Sequence, residues 1–268
     1  MTNDITRRIG DHWDREARLW AEVVRGHTDV YREGLAVPAF LELLGEVGGK
    51  TVLDIACGEG SVTRELARQG AKMTALDLSP AMIELAVEEE KKEPLGIDYH
   101  VGNSARLDTI ADGSFDVVIC FMAVMDIAAV DNTFREVARV MKPGGRFLFN
   151  ILHPCFQPRV ARWVYKEDAP RTDENRLYFA VDRYFDRGSI EENIAITGIS
   201  PEPLYLTRIR FHRTIEDYVR SLGGARMLVH DLRESVASKE MVRRFPNLDR
   251  SRRIPYFMLI EARKSATT

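Results

Sequence analysis

Between residues 51 and 152, short apolar runs alternate with helical patterns, and this alternation restricts the fold more than any other feature of the chain. TVLDIA (51–56) is β-branched and apolar and is followed at once by a glycine-containing turn, the pattern of a buried strand. GSVTRELARQG (60–70) carries Val62, Leu66 and Ala67 at helical spacing and stops at Gly70. KMTALD (72–77) repeats the strand. SPAMIELAVEEEKKE (79–93) repeats the helix, with Ser79 as N-cap and Pro80 in the first helical position. IDYHV (97–101) and FDVVICF (115–121) are two further strands. Asp131 to Met141 forms a helix with Phe134, Val137, Ala138 and Met141 on one face, and Pro143-Gly144-Gly145 turns into a fifth strand, RFLFNIL (146–152). Strands this apolar are buried on both faces. Alternation at this pace builds βαβ units, hence a doubly wound, mostly parallel sheet covered by helices on both sides.

The flanking regions are less regular. Residues 1–49 read as a helical cover, with Trp13, Ala17 and Trp20 on one face and a second helix from Pro38 to about Leu44. Residues 153–212 hold scattered Pro, Gly and charge around two strands, RLYFAVDRYF (176–185) and LYLTRIRFH (204–212), and read as a cap inserted into the domain. Residues 213–268 return to the sheet. TIEDYVRSLGG (214–224) is a helix, and ARMLVHDL (225–232) and PYFMLIEAR (255–263) close the sheet as an antiparallel edge, with 233–254 as an excursion between them. The chain is thus expected to be one domain, with 50–152 as its ligand-binding core.

Composition excludes several classes. With 268 residues, 45% hydrophobic and 29% charged, the chain has ample material for a core. No window reaches the roughly 18 apolar residues of a membrane-spanning helix, and the first twenty residues have no signal-like apolar stretch. Cys57, Cys120 and Cys155 are odd in number and at no metal-ligand spacing, which fits a reduced, cytoplasmic compartment and no metal. The net charge of −3 does not suggest a dedicated DNA binder, although residues 201–268 hold 14 Lys/Arg against 8 Asp/Glu.

The chemistry concentrates in Val52-Leu53-Asp54-Ile55-Ala56-Cys57-Gly58-Glu59-Gly60. A strand runs into a glycine-rich turn that opens a helix, and such a turn lets backbone approach a ligand closely. Asp77 ends the next strand, where a carboxylate can accept hydrogen bonds from ribose hydroxyls. D-I-A-C-G-E-G, A-L-D-L-S-P, G-N-S, F-D-V-V-I-C and M-K-P-G-G follow in order. In this ordered set the chain resembles the class I S-adenosylmethionine-dependent methyltransferases of the bacterial small-molecule type, strongly over 50–152 and more loosely at the last two strands. The resemblance implies a Rossmann-like seven-stranded sheet with an antiparallel edge strand. It also implies S-adenosylmethionine as cofactor and S-adenosylhomocysteine as product.

Carried over by position, the resemblance assigns the cofactor's amino-acid end to the backbone of Ala56, Cys57, Gly58 and Gly60, with Asp54 ordering the loop. Ala56 stands where the family often has Gly, a small departure unless its φ is positive. Asp77 would hold the ribose, and Leu78 and Met82 would flank the adenine. Asn103 and Ser104 stand where the family usually has Asp-Ala, and Asn103 can still serve the adenine edge. Phe121, Met122 and Met125 would lie beside the sulfonium and the substrate. Tyr31 would cover the cofactor carboxylate, or else pack in the core.

A hydroxyl or ammonium acceptor needs a base, whereas a carboxylate does not. The candidate bases are His153, at the carboxyl end of the fifth strand, and His212, where a strand gives way to a helix, each with a structural role as the alternative. Phe156 and Arg213 are expected at the substrate. The Asn/Asp-Pro-Pro-aromatic motif of base-amino methyltransferases is absent after the fourth strand, where Phe121-Met122-Ala123-Val124 stands. The expected activity is methylation of a small molecule in bacterial secondary metabolism, with carboxylate or hydroxyl oxygen favoured and nitrogen allowed. The partners expected are that small molecule, no DNA and no membrane, with a homodimer left open. An RNA methyltransferase with a basic C-terminal face, or a non-catalytic S-adenosylmethionine-binding protein, are the competing readings.

Overall fold

Seven strands form the central sheet of the computed structural model, which describes residues 2–196, 199, 200 and 202–265. In chain order the strands are β1 (Thr51–Ile55), β2 (Lys72–Asp77), β3 (Asp98–Val101), β4 (Phe115–Cys120) and β5 (Met141–Leu152), then β10 (Met227–Glu234) and β11 (Phe257–Lys264). They lie side by side as β10-β11-β5-β4-β1-β2-β3. β1 pairs in parallel with both β2 and β4, so the strand order reverses beside β1 and opens a crevice at the carboxyl ends of β1 and β4. β11 runs antiparallel to both neighbours, so the reversed strand belongs to the hairpin that closes this edge.

Period-two alternation along the strands splits the core into two layers. Leu53, Ile55, Val118, Cys120, Phe147, Phe149, Met258 and Ile260 face one side, where they meet Phe134 and Val137 of α5 (Val130–Val140) and Tyr218 and Leu222 of α6 (Ile215–Gly224). Val52, Val117, Ile119, Leu148 and Leu259 face the other, against Phe40, Leu43 and Leu44 of α2 (Val37–Leu44) and Leu66 of α3 (Ser61–Arg68). Phe134, Phe147 and Phe149 form a cluster with centroids 5.0–5.4 Å apart. Such contacts add about 0.5–1.5 kcal/mol each beyond area burial.

Local boundaries follow the sequence closely. The Ser79 hydroxyl accepts from the Met82 N–H at the start of α4 (Pro80–Lys92). Thr214 and Asp217 close a capping box on α6. Two differences have physical causes. Pro143-Gly144-Gly145, expected to precede the fifth strand, is absorbed into β5 as a bulge: Phe115 pairs with Met141 but Val117 with Arg146, and Gly144 takes φ +73°. Before α2, residues Arg32–Ala36 form a π-helical turn, a rare feature that often marks functional sites.

Outside the sheet, α1 (Thr2–Arg25) lies over α4 and over β9 (Leu204–His212). Between β5 and α6 stand two antiparallel pairs, β6 (Val160–Tyr165) with β7 (Arg176–Asp182), and β8 (Gly188–Ile196) with β9 (Leu204–His212). The excursion between β10 and β11 holds α7 (Lys239–Arg244) and a 3₁₀ segment, Pro246–Arg252. Among the described residues no helix is long and apolar enough to cross a membrane.

Candidate active site

A deep cleft opens at the carboxyl ends of β1, β2 and β4. It encloses about 1070 Å³, open solvent at its mouth included. Its floor is the turn after β1, its far wall the β2 end and residues 102–104, and its near wall residues 121–129. Thr6, Ile9, Trp13 and Trp20 of α1 form a fourth, mostly apolar wall. Trp13 and Trp20 meet edge to face at 6.1 Å.

The turn after β1 is shaped by a few bonds. The Ala56 and Cys57 N–H groups both donate to the Leu76 carbonyl at 2.7 and 3.0 Å, so the chain bends sharply off the strand. Gly60, the N-cap of α3, sits at φ +85°, and a side-chain Cβ there would come 2.6 Å from the Tyr99 hydroxyl. Ala56 has φ 104°. The exception attached to alanine at this place is therefore met: a non-glycine residue with positive φ costs of order 1–3 kcal/mol. Met122, across the cleft, is also left-handed at φ 57°, and its N–H donates to Asn150 Oδ1 at 2.8 Å. The two strained residues flank the same space.

Among the described residues, four carboxylates line the cleft (Asp54, Glu59, Asp77 and Asp126) against the one guanidinium of Arg32. Asp54 Oδ2 accepts from the Thr63 hydroxyl at 2.7 Å, but its buried Oδ1 has no partner, and burial pushes its carboxyl up to about 7. Asp77 accepts from the Gly58 N–H at 2.8 Å and the Ser79 N–H at 2.9 Å, and burial raises it too. Asp126 closes the 3₁₀ turn Val124–Asp126 after β4; it is 6% exposed, and its Oδ1 is likewise buried and unpartnered. Arg32 donates to the Ser61 hydroxyl at 2.6 Å, pairs with Glu33 and lies 5.5 Å over the Phe121 ring. Burial and the neighbouring Asp54, Asp77 and Glu59 hold the Cys57 thiol protonated.

Of the expected residues, the cleft gathers Asp54, Ala56, Cys57, Gly58, Asp77, Leu78, Met82, Asn103, Ser104, Phe121 and Met122. Asn103 Oδ1 accepts from the Ala105 N–H at 2.9 Å, and the Ser104 hydroxyl meets that of Thr133 at 3.3 Å. Others lie elsewhere. Tyr31 stacks on Tyr256 at 4.5 Å, and its hydroxyl receives Arg250 and donates to the Asn247 carbonyl. Met125 is 3% exposed and packs in the core rather than at a substrate. Phe156 contacts His153 and Phe179 in the inserted region.

Neither histidine stands at the cleft. His153 Nδ1 accepts from the Cys155 N–H at 3.2 Å, so its proton is on Nε2, which donates to Glu234 at 2.7 Å. Both nitrogens are thus occupied, and burial lowers the ring's proton affinity. A free lone pair, which a base needs, is missing. His212 Nε2 donates to the Tyr184 carbonyl at 2.7 Å beside a separate, shallow depression. Burial lowers it as well. Arg213 borders that depression, and its guanidinium reaches the carbonyls of Ile127 at 2.6 Å and Ala128 at 3.2 Å, so it braces the cleft wall from behind.

Sequence reasoning missed Asp126 and Arg32. Asp126 follows the fourth strand, where the site was expected, but nothing in its spacing separates it from a solvated turn acid. Asp14 of α1 offered no signal either; its carboxylate accepts from the Ser79 hydroxyl at 2.5 Å and the Ala81 N–H at 3.2 Å, tying α1 to the start of α4.

The donor set suits a cationic cofactor with an amino-acid end and a ribose. Asp54, with one orphaned carboxylate oxygen, lines the same cleft as the turn Ala56–Gly58, and a second carboxylate ends β2. Asp54 would hold the ammonium and Asp77 the ribose hydroxyls, while Leu78 and Met82 offer apolar contact to the base.

Comparison with known proteins agrees. Residues 53–149 match the family described as "Methyltransferase domain". Over 108 residues the chain is 32% identical to a ubiquinone biosynthesis O-methyltransferase of Xanthomonas oryzae pv. oryzae; the match covers 40% of this chain and 45% of that protein, so the chain spans under half the length of the curated relatives it matches. A putative S-adenosylmethionine-dependent methyltransferase from Listeria monocytogenes is 26% identical, with a TM-score of 0.68 over 86% of this chain and 96% of its own. One from Mesorhizobium loti is 25% identical, with a TM-score of 0.68 over 85% and 96%. The matched domain over residues 53–149, the sheet order and the acidic cleft together make the chain similar to the S-adenosylmethionine-dependent methyltransferases.

Proposed function

We propose that this protein transfers the methyl group of S-adenosylmethionine to a small, largely apolar molecule. The observation that carries this reading is the joining of two unlike surfaces in one cleft. An acidic floor and wall, Asp54 and Asp77, stands opposite an apolar wall of Ile9, Trp13, Trp20, Phe121 and Met122. Four carboxylates against one guanidinium favour a cationic cofactor and disfavour an anionic acceptor. Aromatic and aliphatic lining suits a ring-bearing acceptor. Oxygen as the nucleophile is supported by the similarity to the ubiquinone biosynthesis O-methyltransferase. A place in bacterial secondary metabolism is part of the same proposal.

The cofactor supplies an activated methyl carbon on a sulfonium. The protein's own work is then positioning, which can contribute roughly 7–11 kcal/mol. Asp54 and Asp77 fix the cofactor's two polar ends. α1 covers the cleft and excludes water, held down by Asp14 on Ser79.

The test is direct. Calorimetric titration with S-adenosylhomocysteine is expected to show one site, weakened by Asp77→Ala at least tenfold. Incubation of the full chain with methyl-labelled S-adenosylmethionine and a bacterial extract, then separation by size, is expected to put label into small molecules. Label in RNA or protein alone would overturn the reading.

A further inference from the structure

We propose that Asp126 is the proton acceptor of the transfer step and that the methyl acceptor is a proton-bearing nucleophile, a hydroxyl or amine, bound between Asp126 and the apolar wall of α1. The proposal rests on the methyl-transfer reading above and deepens it.

Position comes first. Asp126 follows β4, next to β1 at the point where strand order reverses, and lines the cleft beside Met122 and Ala123. It is nearly buried, yet Oδ1 has no hydrogen-bond partner. A buried carboxylate oxygen left unpaired normally costs a protein free energy, so such an atom marks a place where something else completes the bond. The charged groups around it are already committed to other partners. From β9, Arg208 donates to Glu192 Oε1 at 2.7 Å and Arg210 to Glu192 Oε2 at 2.9 Å; Glu192 itself comes from β8. Arg213 is bound to the Ile127 and Ala128 carbonyls. Cys120 of β4 and Tyr218 of α6 also feel its charge, and burial raises both. Asp126 therefore feels three guanidiniums and one carboxylate, and the described hydrogen bonds spend none of these cations on it. Burial outweighs them and pushes its carboxyl up to about 7, near the operating range of a general base. The two histidines do not compete, since neither stands at the cleft.

The step balances simply. The acceptor's oxygen or nitrogen lone pair forms the new bond to the methyl carbon. The carbon–sulfur bond breaks and its electron pair returns to sulfur. The proton leaves the acceptor for Asp126 Oδ1, and the neutral acid later releases it to solvent. A carboxylate acceptor has no proton to give and would add negative charge to a cleft that already holds four acids.

The experiment uses the full chain, S-adenosylhomocysteine, methyl-labelled S-adenosylmethionine and the small-molecule fraction of a bacterial extract. Asp126→Asn is expected to bind S-adenosylhomocysteine within threefold of wild type and to slow label transfer by on the order of 10²–10⁴. At saturating S-adenosylmethionine, wild-type transfer should rise with pH through about 7, and the residual transfer of the variant should not. Independently of turnover, the infrared difference between wild type and Asp126→Asn should show a protonated-carboxyl band that vanishes as pH rises through the same range. Transfer at the wild-type rate in the variant, a missing band, or label that mild base removes as a methyl ester each overturns the proposal. Should Asp126→Asn lose the fold, Asp126→Glu decides: a displaced carboxylate must slow transfer and move the midpoint of the pH profile, and an unchanged midpoint overturns the assignment. Wild-type protein that binds no S-adenosylhomocysteine overturns the methyl-transfer reading itself, and this inference with it.

Discussion

Ala56 and Asp54 show how much of the site is decided two residues apart. Ala56 holds φ 104°, where glycine would pay no steric penalty. Ala56→Gly is expected to relieve the strain, offset in part by the added freedom of glycine in the unfolded chain. The net gain should be about 1 kcal/mol, read as a rise of about 2–4 °C in the unfolding midpoint. An unchanged or lower midpoint would show that the turn carries no strain. Asp54 has a carboxyl raised to about 7 in the folded state. The folded protein therefore holds a proton that the unfolded chain releases near pH 4, and this contribution to stability is present below about 4 and lost as pH rises through 7. Binding has the opposite sign, since only the ionised carboxylate pairs with an ammonium. Affinity for S-adenosylhomocysteine is expected to increase about tenfold between pH 6 and 8, and Asp54→Asn should bind more weakly with a flat profile. A pH-independent affinity in wild type would remove Asp54 from the ammonium site.

At the scale of elements, the cleft is a meeting of pieces far apart in the chain. α1 supplies its apolar wall, yet α1 is placed by contacts with α4 and β9 rather than by anything within residues 2–25. The wall at 127–129 is braced from behind by Arg213, which stands between β9 and α6. Arg213→Ala removes a charged donor from those carbonyls. It is expected to cost about 1.5–3 kcal/mol of stability and to raise KM for the methyl acceptor. S-adenosylhomocysteine affinity should stay within threefold, because Asp54 and Asp77 are untouched. Arg213→Lys should recover only part, since an ammonium lacks the planar fork of donors. Loss of cofactor affinity equal to the loss of acceptor affinity would contradict this division of labour.

For the whole molecule, charge distribution separates the readings. The C-terminal 68 residues carry an excess of six basic groups, but part of that charge is already paired within the chain. Arg208 and Arg210 pair with Glu192, Arg233 with Asp231 and Glu42, and Arg263 with Glu261, while Arg253 donates to the Arg176 and Leu177 carbonyls. A phosphate-binding face would need those groups free. Turnover on the small-molecule acceptor is therefore expected to change less than threefold between 50 and 200 mM salt. An RNA site making 6–10 phosphate contacts would instead lose on the order of 10³–10⁵ in affinity. A steep salt dependence would restore the nucleic-acid reading.

The sequence by itself determined the parallel core, the acidic end of each of the first two strands, and the glycine-rich turn between them. These depend on contacts within about thirty residues, where hydrophobic period, caps and turn residues act locally. The same locality let Asp54, Gly58 and Asp77 be read as one cradle. What only the tertiary structure decided was which polar groups are left without partners. His153 looked available from its position after the fifth strand, but Glu234, 81 residues later, occupies its Nε2. Asp126 looked like an ordinary turn acid, but the surrounding cations are bonded to Glu192 and to backbone carbonyls, leaving its Oδ1 buried and empty-handed. Whether a side chain is satisfied depends on every group that packs against it. Those groups arrive from across the chain, so a candidate base cannot be chosen until the fold has assigned every other hydrogen bond.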